Sequence, residues 1–499
     1  MRYLRRPWTQ LAIPAALIAV IVGSLAAIRM QRLWGDALAG AIAVVVVASL
    51  LLLADVVRIY MPLDRLKLRE ALGWRSLSSL RCSQRAIPPY RTVDLFRACT
   101  RFAEEHDALV LDAATKSPLW HILADASWRR MTAPLSTKFE VGPGEHEWLP
   151  NDRFWLLRVG EAGRRDTVIR MRLHVDEYRG TLISLEIASC GQAPEEIIDQ
   201  LTKDALRNSI YRGHVVRMQT GEGLRDDIGT EAQGHELRMS FCTDQEVRDE
   251  DIILDDKIHE ILRRNVFSFH ELRERLAEYG IPQRRGLLLF GPPGTGKTYA
   301  CRYMYSKLEN VTALIVTGQA LLRLKSICEL ARMLQPSLLV LEDVDLVFSE
   351  RELNPNATTL GDMLDELDGF QSDDAITVVL TTNAIERVER AVKDRPGRIS
   401  QCVYMAPPTG ELRLRYLKRF LRQCDTQTVE FDKVVQQTRG ASQAFLKEMV
   451  FRAIQVGVER DPPANGATLR LITADFLIAI DEMISQTEKS AKSIIGLIG

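Results

Sequence analysis

Gly291-Pro292-Pro293-Gly294-Thr295-Gly296-Lys297-Thr298 follows an apolar run, Leu287-Leu288-Leu289-Phe290, that reads as a buried strand. From Tyr299 to about Leu308 the pattern reads as a helix. Strand, Gly-rich loop and helix, in that order, are what a phosphate loop requires. The glycines let backbone N–H groups turn inward around a polyphosphate. The helix adds its positive N-terminal end. Lys297 is placed to reach the β- and γ-phosphates of ATP, and the Thr298 hydroxyl to bind Mg²⁺. The bland alternative is a Gly/Pro-rich surface turn; the spacing, the Lys-Thr pair and the flanking strand argue against it.

Residues 313–317 read as a second core strand. Ser337-Leu338-Leu339-Val340-Leu341-Glu342-Asp343-Val344-Asp345 then gives an apolar strand ending in adjacent carboxylates. Apolar runs capped by acids are common, but about forty residues after a phosphate loop this one fits an acidic pair. One carboxylate of such a pair holds Mg²⁺ through water, and the next polarises the attacking water. A third buried strand, 376–380, ends in Thr381-Thr382-Asn383, where an Asn can orient the lytic water. Arg395-Pro396-Gly397-Arg398 holds two guanidinium groups on a rigid turn, suited to neutralising a transferring phosphoryl group across a subunit boundary. Two surface arginines beside a turn are the alternative.

Toward the N-terminus, residues 11–28 and 37–54 are apolar or small apart from Ser24 and Ser49. Each matches the roughly 18–20 residues that cross a hydrocarbon core. The connection, 29–36, is too short to fold alone, so the expectation is a two-helix transmembrane hairpin over residues 1–60. Trp8, Trp34 and Tyr60 sit at ends of the runs. Arg2, Arg5 and Arg6 precede the hairpin and Arg58, Arg65, Lys67 and Arg69 follow it; the positive-inside bias puts both termini in the cytoplasm, against Arg29 and Arg32 in the loop. A signal peptide is the rival reading of the first run, and the second run argues against it. Residues 62–101 are basic, suiting anionic lipid or a solvated helical face.

Residues 61–243 read as an α+β middle domain, with strands at 154–159, 168–175, 181–187, 215–218 and 236–241 and a helix at 193–208. His106, His121, His146, His174, His214 and His235 show no metal spacing. Eight cysteines are scattered singly without C-x-x-C, so neither zinc nor a disulfide framework is indicated. A net charge of −1 gives no signal for nucleic acid. Asp251-Ile252-Ile253-Leu254 offers apolar side chains either to an adenine ring or to the core.

The set GPPGTGKT, LLVLEDVD, TTN and RPGR, in that order, resembles the AAA ATPases over residues 251–486. LDELDGF at 364–370 and Gly440-Ala441-Ser442 resemble that family's core and lid signatures. The Glu342-Asp343 order is similar to the branch containing the mitochondrial translocase of the Rieske iron–sulfur protein, and a bacterial relative of that branch is the description that fits. The resemblance implies an α/β P-loop AAA ATPase core (244–408) with a helical lid (409–499), behind the α+β domain and the hairpin. It gives Glu342 the metal role, Asp343 the activating role, Asn383 the sensor role, and Arg395 and Arg398 the arginine-finger positions. It implies a homo-oligomeric ring, hexamer or heptamer, with ATP bound between subunits, acting on a protein client at a cell inner membrane. A nucleotide-gated scaffold with little turnover is the alternative, left open by the short carboxylate of Asp343. A membrane protease is disfavoured, since no H-E-x-x-H occurs. Residues 320–325 lack the aromatic-plus-Gly pore signature, and Ser400 stands where an Asp often follows the second arginine.

Overall fold

The structure is a computed structural model. It describes residue 49 and residues 80–112, 118–119, 122, 135–159, 166–176, 180–220, 237–243, 246–345, 366–367, 369–384, 399–463 and 468–485. The hairpin of residues 1–60, save Ser49, lies outside the described residues, as do the arginine turn at 395–398 and residues 364, 365 and 368 of the 364–370 stretch. Among the described residues no helix is long and apolar enough to cross a membrane.

The middle unit comprises β1 (Arg81–Ile87), α1 (Thr92–Glu105), β2 (Leu109–Asp112), β3 (Ser136–Gly142), β4 (Glu145–Pro150), β5 (Asp152–Leu157), β6 (Thr167–Asp176), β7 (Gly180–Ser189) and α2 (Pro194–Arg207). Five strands form an antiparallel sheet in the order β1-β7-β6-β5-β2, while β3 and β4 pair separately. The apolar stripes of both helices, among them Val93, Phe96 and Phe102 of α1 and Ile197, Ile198 and Leu201 of α2, join Trp155, Ile169 and Leu185 of the sheet in one cluster. The helical reading of the basic 62–101 segment is corrected at residues 81–87: they form an edge strand, in register from Arg81 opposite Ser189 to Ile87 opposite Ile183. Cross-strand pairing, rather than apolar periodicity, decides such a polar strand.

A buried ionic group crosses this sheet. Arg170 donates to Asp152 through Nε at 2.8 Å and Nη2 at 2.7 Å, and its Nη1 lies 3.3 Å from Glu186 Oε2. Glu186 also accepts from the Leu119 amide at 2.6 Å and the Ser184 hydroxyl at 3.1 Å. Each buried carboxylate is thus paired with the guanidinium, as burial of charge demands.

β8 (Val215–Thr220) and β9 (Leu237–Phe241) follow. The sequence placed both in the middle domain, but they belong to a seven-stranded sheet in the order β14-β10-β13-β12-β11-β8-β9. Its other members are β10 (Arg285–Phe290), β11 (Thr312–Val316), β12 (Ser337–Leu341), β13 (Ile376–Thr382) and β14 (Gln401–Tyr404). β8 runs parallel to β11, and β9 closes the edge antiparallel to β8. The sheet therefore spans the division expected at residues 243 and 244. Arg212 reinforces the join by donating to the carbonyls of Leu206, Met333 and Gln335 at 2.9, 2.6 and 2.7 Å. One apolar cluster runs from Ile87 in the middle unit to Leu380 in the seven-stranded sheet, so the two units share a core.

β10, β11, β12 and β13 are buried along nearly their whole length, which explains their continuous apolar sequences: parallel strands are covered on both faces. Helices α3 (Asp256–Leu262), α4 (Lys297–Lys307) and α5 (Leu324–Met333) accompany this sheet. The lid consists of α6 (Gly410–Phe420), α7 (Phe431–Gln437), α8 (Gln443–Arg460) and α9 (Thr473–Ser485), with β15 (Asp425–Thr428) paired to β16 (Arg470–Ile472). Its core gathers Leu417, Phe445, Leu446, Met449 and Phe476. Thr409 caps α6 and Ser442 caps α8, each side chain accepting from an amide of the first turn.

Candidate active site

The C-terminal ends of β10, β12 and β13 meet the start of α4 at a cleft of about 790 Å³ that the lid overhangs. Its lining includes Pro293, Gly294, Gly296, Lys297, Thr298, Asp343 and Asn383. The phosphate loop thus joins the predicted catalytic carboxylate and Asn in one cavity. Open α/β sheets bind ligands at this end of their strands.

Two glycines of the loop are demanded by the backbone and by the lid. Gly294 and Gly296 have φ of +75° and +89°. A Cβ at Gly296 would stand 2.2 Å from Gln443 Oε1, and one at Gly294 would stand 2.9 Å from both Ala444 Cβ and Ser442 Oγ. The N-terminus of α8 therefore rests on the loop, and the Ala444 amide donates to the Gly294 carbonyl at 3.1 Å. Gly291 packs as closely against the residue that follows β14: a Cβ there would clash with the Met405 carbonyl oxygen. Thr295 fixes the loop through its hydroxyl, which donates to the Pro292 carbonyl at 2.8 Å.

The Lys297 ammonium donates to the carbonyls of Gly291 and Pro292 at 2.8 Å each. Burial lowers its pKa, against the opposing pull of Asp343 and Asp345. Burial pushes the Glu342 carboxyl above the usual carboxylate range and neighbouring Asp343 adds to the rise, while Arg217, a hydrogen bond from Thr298, and Arg302 oppose it. Asp343 is raised as well, first by burial and then by Asp345, with Lys297 and Asn383 acting in the other direction. The oxygen donors Thr298 and Glu342, hydrogen-bonded to one another, are the hard donor set that suits Mg²⁺. A Mg²⁺ ion there would offset charge on the β- and γ-phosphate oxygens.

Asp343 has a left-handed backbone, φ +49°. Its amide donates to Thr381 Oγ1 at 2.9 Å, and its Oδ1 accepts from Asn383 Nδ2 at 3.2 Å. Asp345 secures the same strand tip, its Oδ1 accepting from Thr382 Oγ1 at 2.9 Å and from the Asn383 amide at 3.1 Å. Sequence reasoning gave Asp345 no role, although it lies in the stretch that carries the pair. Arg395 and Arg398 lie outside the described residues. Ser400 is a structural tie: its amide donates to the Gly286 carbonyl at 2.8 Å, and its hydroxyl accepts from the Gly286 amide at 3.4 Å.

The lid side of the cleft mixes apolar and charged side chains, with Arg419 and Arg422 among them. Ile253 lines it with Tyr416 and Phe420, whose rings stack at 5.9 Å. Ile252 and Leu254 turn instead into the core under α4, while Ile253 joins the lid cluster at the cleft. The Tyr416 hydroxyl donates to the Ile253 carbonyl, and Arg419 pairs with Asp251, fastening the lid to the segment that precedes the loop. Tyr416 and Phe420 were missed from sequence; the only signal was an aromatic pair four residues apart on a lid helix. Among the described residues no His/Cys/Asp/Glu group could hold a metal ion by itself, and the eight cysteines are free, with Cys99, Cys301 and Cys328 buried.

Comparison with known proteins agrees with this geometry. Residues 287–406 match the family described as "ATPase family associated with various cellular activities (AAA)". The chain is 27% identical over 239 residues to the 26S proteasome regulatory subunit 8 homolog of Schizosaccharomyces pombe, covering 44% of this chain and 57% of the relative. It is 26% identical over 255 residues to the ATP-dependent zinc metalloprotease FtsH 2 of a Thermoanaerobacter species, covering 48% of each. It is 28% identical over 305 residues to the proteasome-activating nucleotidase of Methanopyrus kandleri, covering 57% of this chain and 67% of the relative. The chain spans about half the length of the curated relatives it matches. The phosphate loop, the acidic strand end and the Asn383 tip all fall inside the segment that matches this ATPase family.

Proposed function

We propose that this protein is a membrane-anchored AAA ATPase that hydrolyses ATP at the interfaces of a homo-oligomeric ring, hexamer or heptamer, to remodel or translocate a protein client. The observation that carries the reading is the convergence of Lys297, Asp343 and Asn383 on one cleft roofed by the lid. In it Lys297 and the loop amides hold the phosphates, and Asp343, oriented by Asn383, takes the proton of the attacking water. Glu342 and Thr298 would hold a Mg²⁺ ion, which would offset phosphate charge. Arg395 and Arg398 reach the γ-phosphate bound by the next subunit. The anchoring rests on the sequence alone: two apolar runs flanked by arginines, giving an inner-membrane protein with its ATPase on the cytoplasmic side. The Glu342-Asp343 order supports placement in the branch of the Rieske-protein translocase, with a bacterial origin. The names of the relatives supply the association with proteasomes and proteolysis; protein substrates for this chain follow only by analogy.

Mixing subunits tests the interface. Lys297→Ala and Arg395→Ala rings are each expected to be inactive. Rings assembled from both contain interfaces with an intact loop facing an intact arginine, and are expected to regain part of the activity. Undiminished hydrolysis by Arg395→Ala alone would remove the arginine from the mechanism.

A further inference from the structure

β8 reaches the ATPase sheet from the middle unit and brings a cation with it. Arg217 lies opposite Ile315 of β11, and Ile315 lies opposite Val340 of β12. Residues in register on parallel strands share a face, and the face repeats every second residue. Arg217, Ile315, Val340 and, two residues on, Glu342 therefore belong to one face. It is the face that packs on α4: Ala313, Ile315, Leu338 and Val340 share a cluster with Ala300, Cys301 and Met304. Val215, two residues before Arg217, packs against this cluster too. Arg217 is thus a half-buried cation in an otherwise apolar row. Two strand spacings and two residues of rise put its Cα roughly 12 Å from that of Glu342. Extended Arg and Glu side chains close that gap. The electrostatics point the same way: of the groups favouring ionised Glu342, Arg217 acts most strongly, ahead of Thr298 and Arg302.

We propose that Arg217 is a positioning residue for Glu342, holding the carboxylate from the sheet-edge side while Thr298 holds it from α4, so that the middle unit sets the geometry of the metal position. Glu342 is longer by a methylene than an Asp and has one more torsion to fix. A group on β8 fixes it only while β8 keeps its place beside β11. The proposal rests on the reading of Glu342 as the metal-side carboxylate.

The test uses the full-length oligomer and a fluorescent ADP titrated with Mg²⁺, comparing Arg217→Gln, Arg217→Lys, Glu342→Gln and the double variant Arg217→Gln/Glu342→Gln. Arg217→Gln is expected to raise the half-saturating Mg²⁺ concentration about tenfold, the lower range for loss of an outer-shell partner, with metal-free ADP affinity held within about twofold. Arg217→Lys is expected to recover most of the shift. In the Glu342→Gln background Arg217→Gln is expected to add nothing, because a residue acting through Glu342 has no target there. An equal shift in both backgrounds would overturn the proposal by making Arg217 a matter of general fold. So would normal Mg²⁺ dependence in Arg217→Gln while Glu342→Gln is impaired. Normal Mg²⁺ dependence in Glu342→Gln would instead remove the metal-side reading of Glu342, and this proposal with it.

Discussion

Asn383 Nδ2 donates to Asp343 Oδ1 at 3.2 Å, joining the tips of two adjacent parallel strands. The left-handed backbone at Asp343 turns its carboxylate into the cleft beside Lys297. That conformation costs about 1–2 kcal/mol for a residue with a Cβ. It persists because the Asp343 amide is held by Thr381 Oγ1 and the Val344 amide by the Thr381 carbonyl. Strain of this kind, fixed by its surroundings, is common where a side chain must be aimed.

Loss of the loop cation comes first among the expected effects. Lys297→Ala is predicted to weaken ATP binding roughly ten- to hundredfold, since a hydrogen bond to a charged group contributes about 1.5–3 kcal/mol. Calorimetry on the purified oligomer reads this directly. Unchanged affinity would mean that the phosphates lie elsewhere.

The contact between lid and loop makes a second prediction. Gly296→Ala forces a Cβ onto Gln443 Oε1 and places alanine at φ +89°. Nucleotide affinity is expected to fall. Adding Gln443→Ala is expected to restore part of it, because the clash goes and the backbone strain of about 1–2 kcal/mol stays. Full restoration would show that the strain is negligible, and no restoration that the lid does not rest on the loop.

In the middle unit, Arg170→Met removes the cation that bridges two buried carboxylates, Asp152 and Glu186, the second of which keeps Arg172 at 3.6 Å. Removing one partner of a buried ion pair costs about 3–5 kcal/mol. The loss is predicted to appear as reduced hydrogen-exchange protection across β5, β6 and β7. Protection equal to that of the unmodified protein would show that the group does not support the sheet.

The proposed membrane topology rests on the flanking charges and is open to labelling. A cysteine at position 31 (Gln31→Cys) is predicted to be labelled from outside the cell by an impermeant thiol reagent, and one at position 78 (Ser78→Cys) only after lysis. Labelling of the Ser78→Cys protein in intact cells would reverse the orientation.

The phosphate loop, the acidic strand end and the Asn383 tip were legible because each needs a fixed residue type at a fixed spacing. β10, β12 and β13 announced themselves as apolar runs for the same reason that parallel strands are buried on both faces. β8 and β9 were legible as strands, but their sheet was not: Val216 and Met218 fit either core, and only long-range pairing with β11 decides. β1 was illegible because Arg81-Cys82-Ser83-Gln84-Arg85 carries no apolar period; its partner β7 supplies the order. Tyr416 and Phe420 lie more than a hundred residues from the loop they serve, and folding of the lid alone brings them to the cleft.

Steady-state ATP hydrolysis by the purified oligomer, measured beside its Asp343→Asn variant with ATP binding followed in both, tests the central claim most directly. The unmodified protein should turn over ATP. The variant should bind ATP with little change and hydrolyse it about 10²–10⁴ times more slowly, the range for loss of a general base. Hydrolysis by Asp343→Asn at the rate of the unmodified protein would contradict the assignment of the base, and an unmodified oligomer that binds ATP without turnover would favour the nucleotide-gated scaffold.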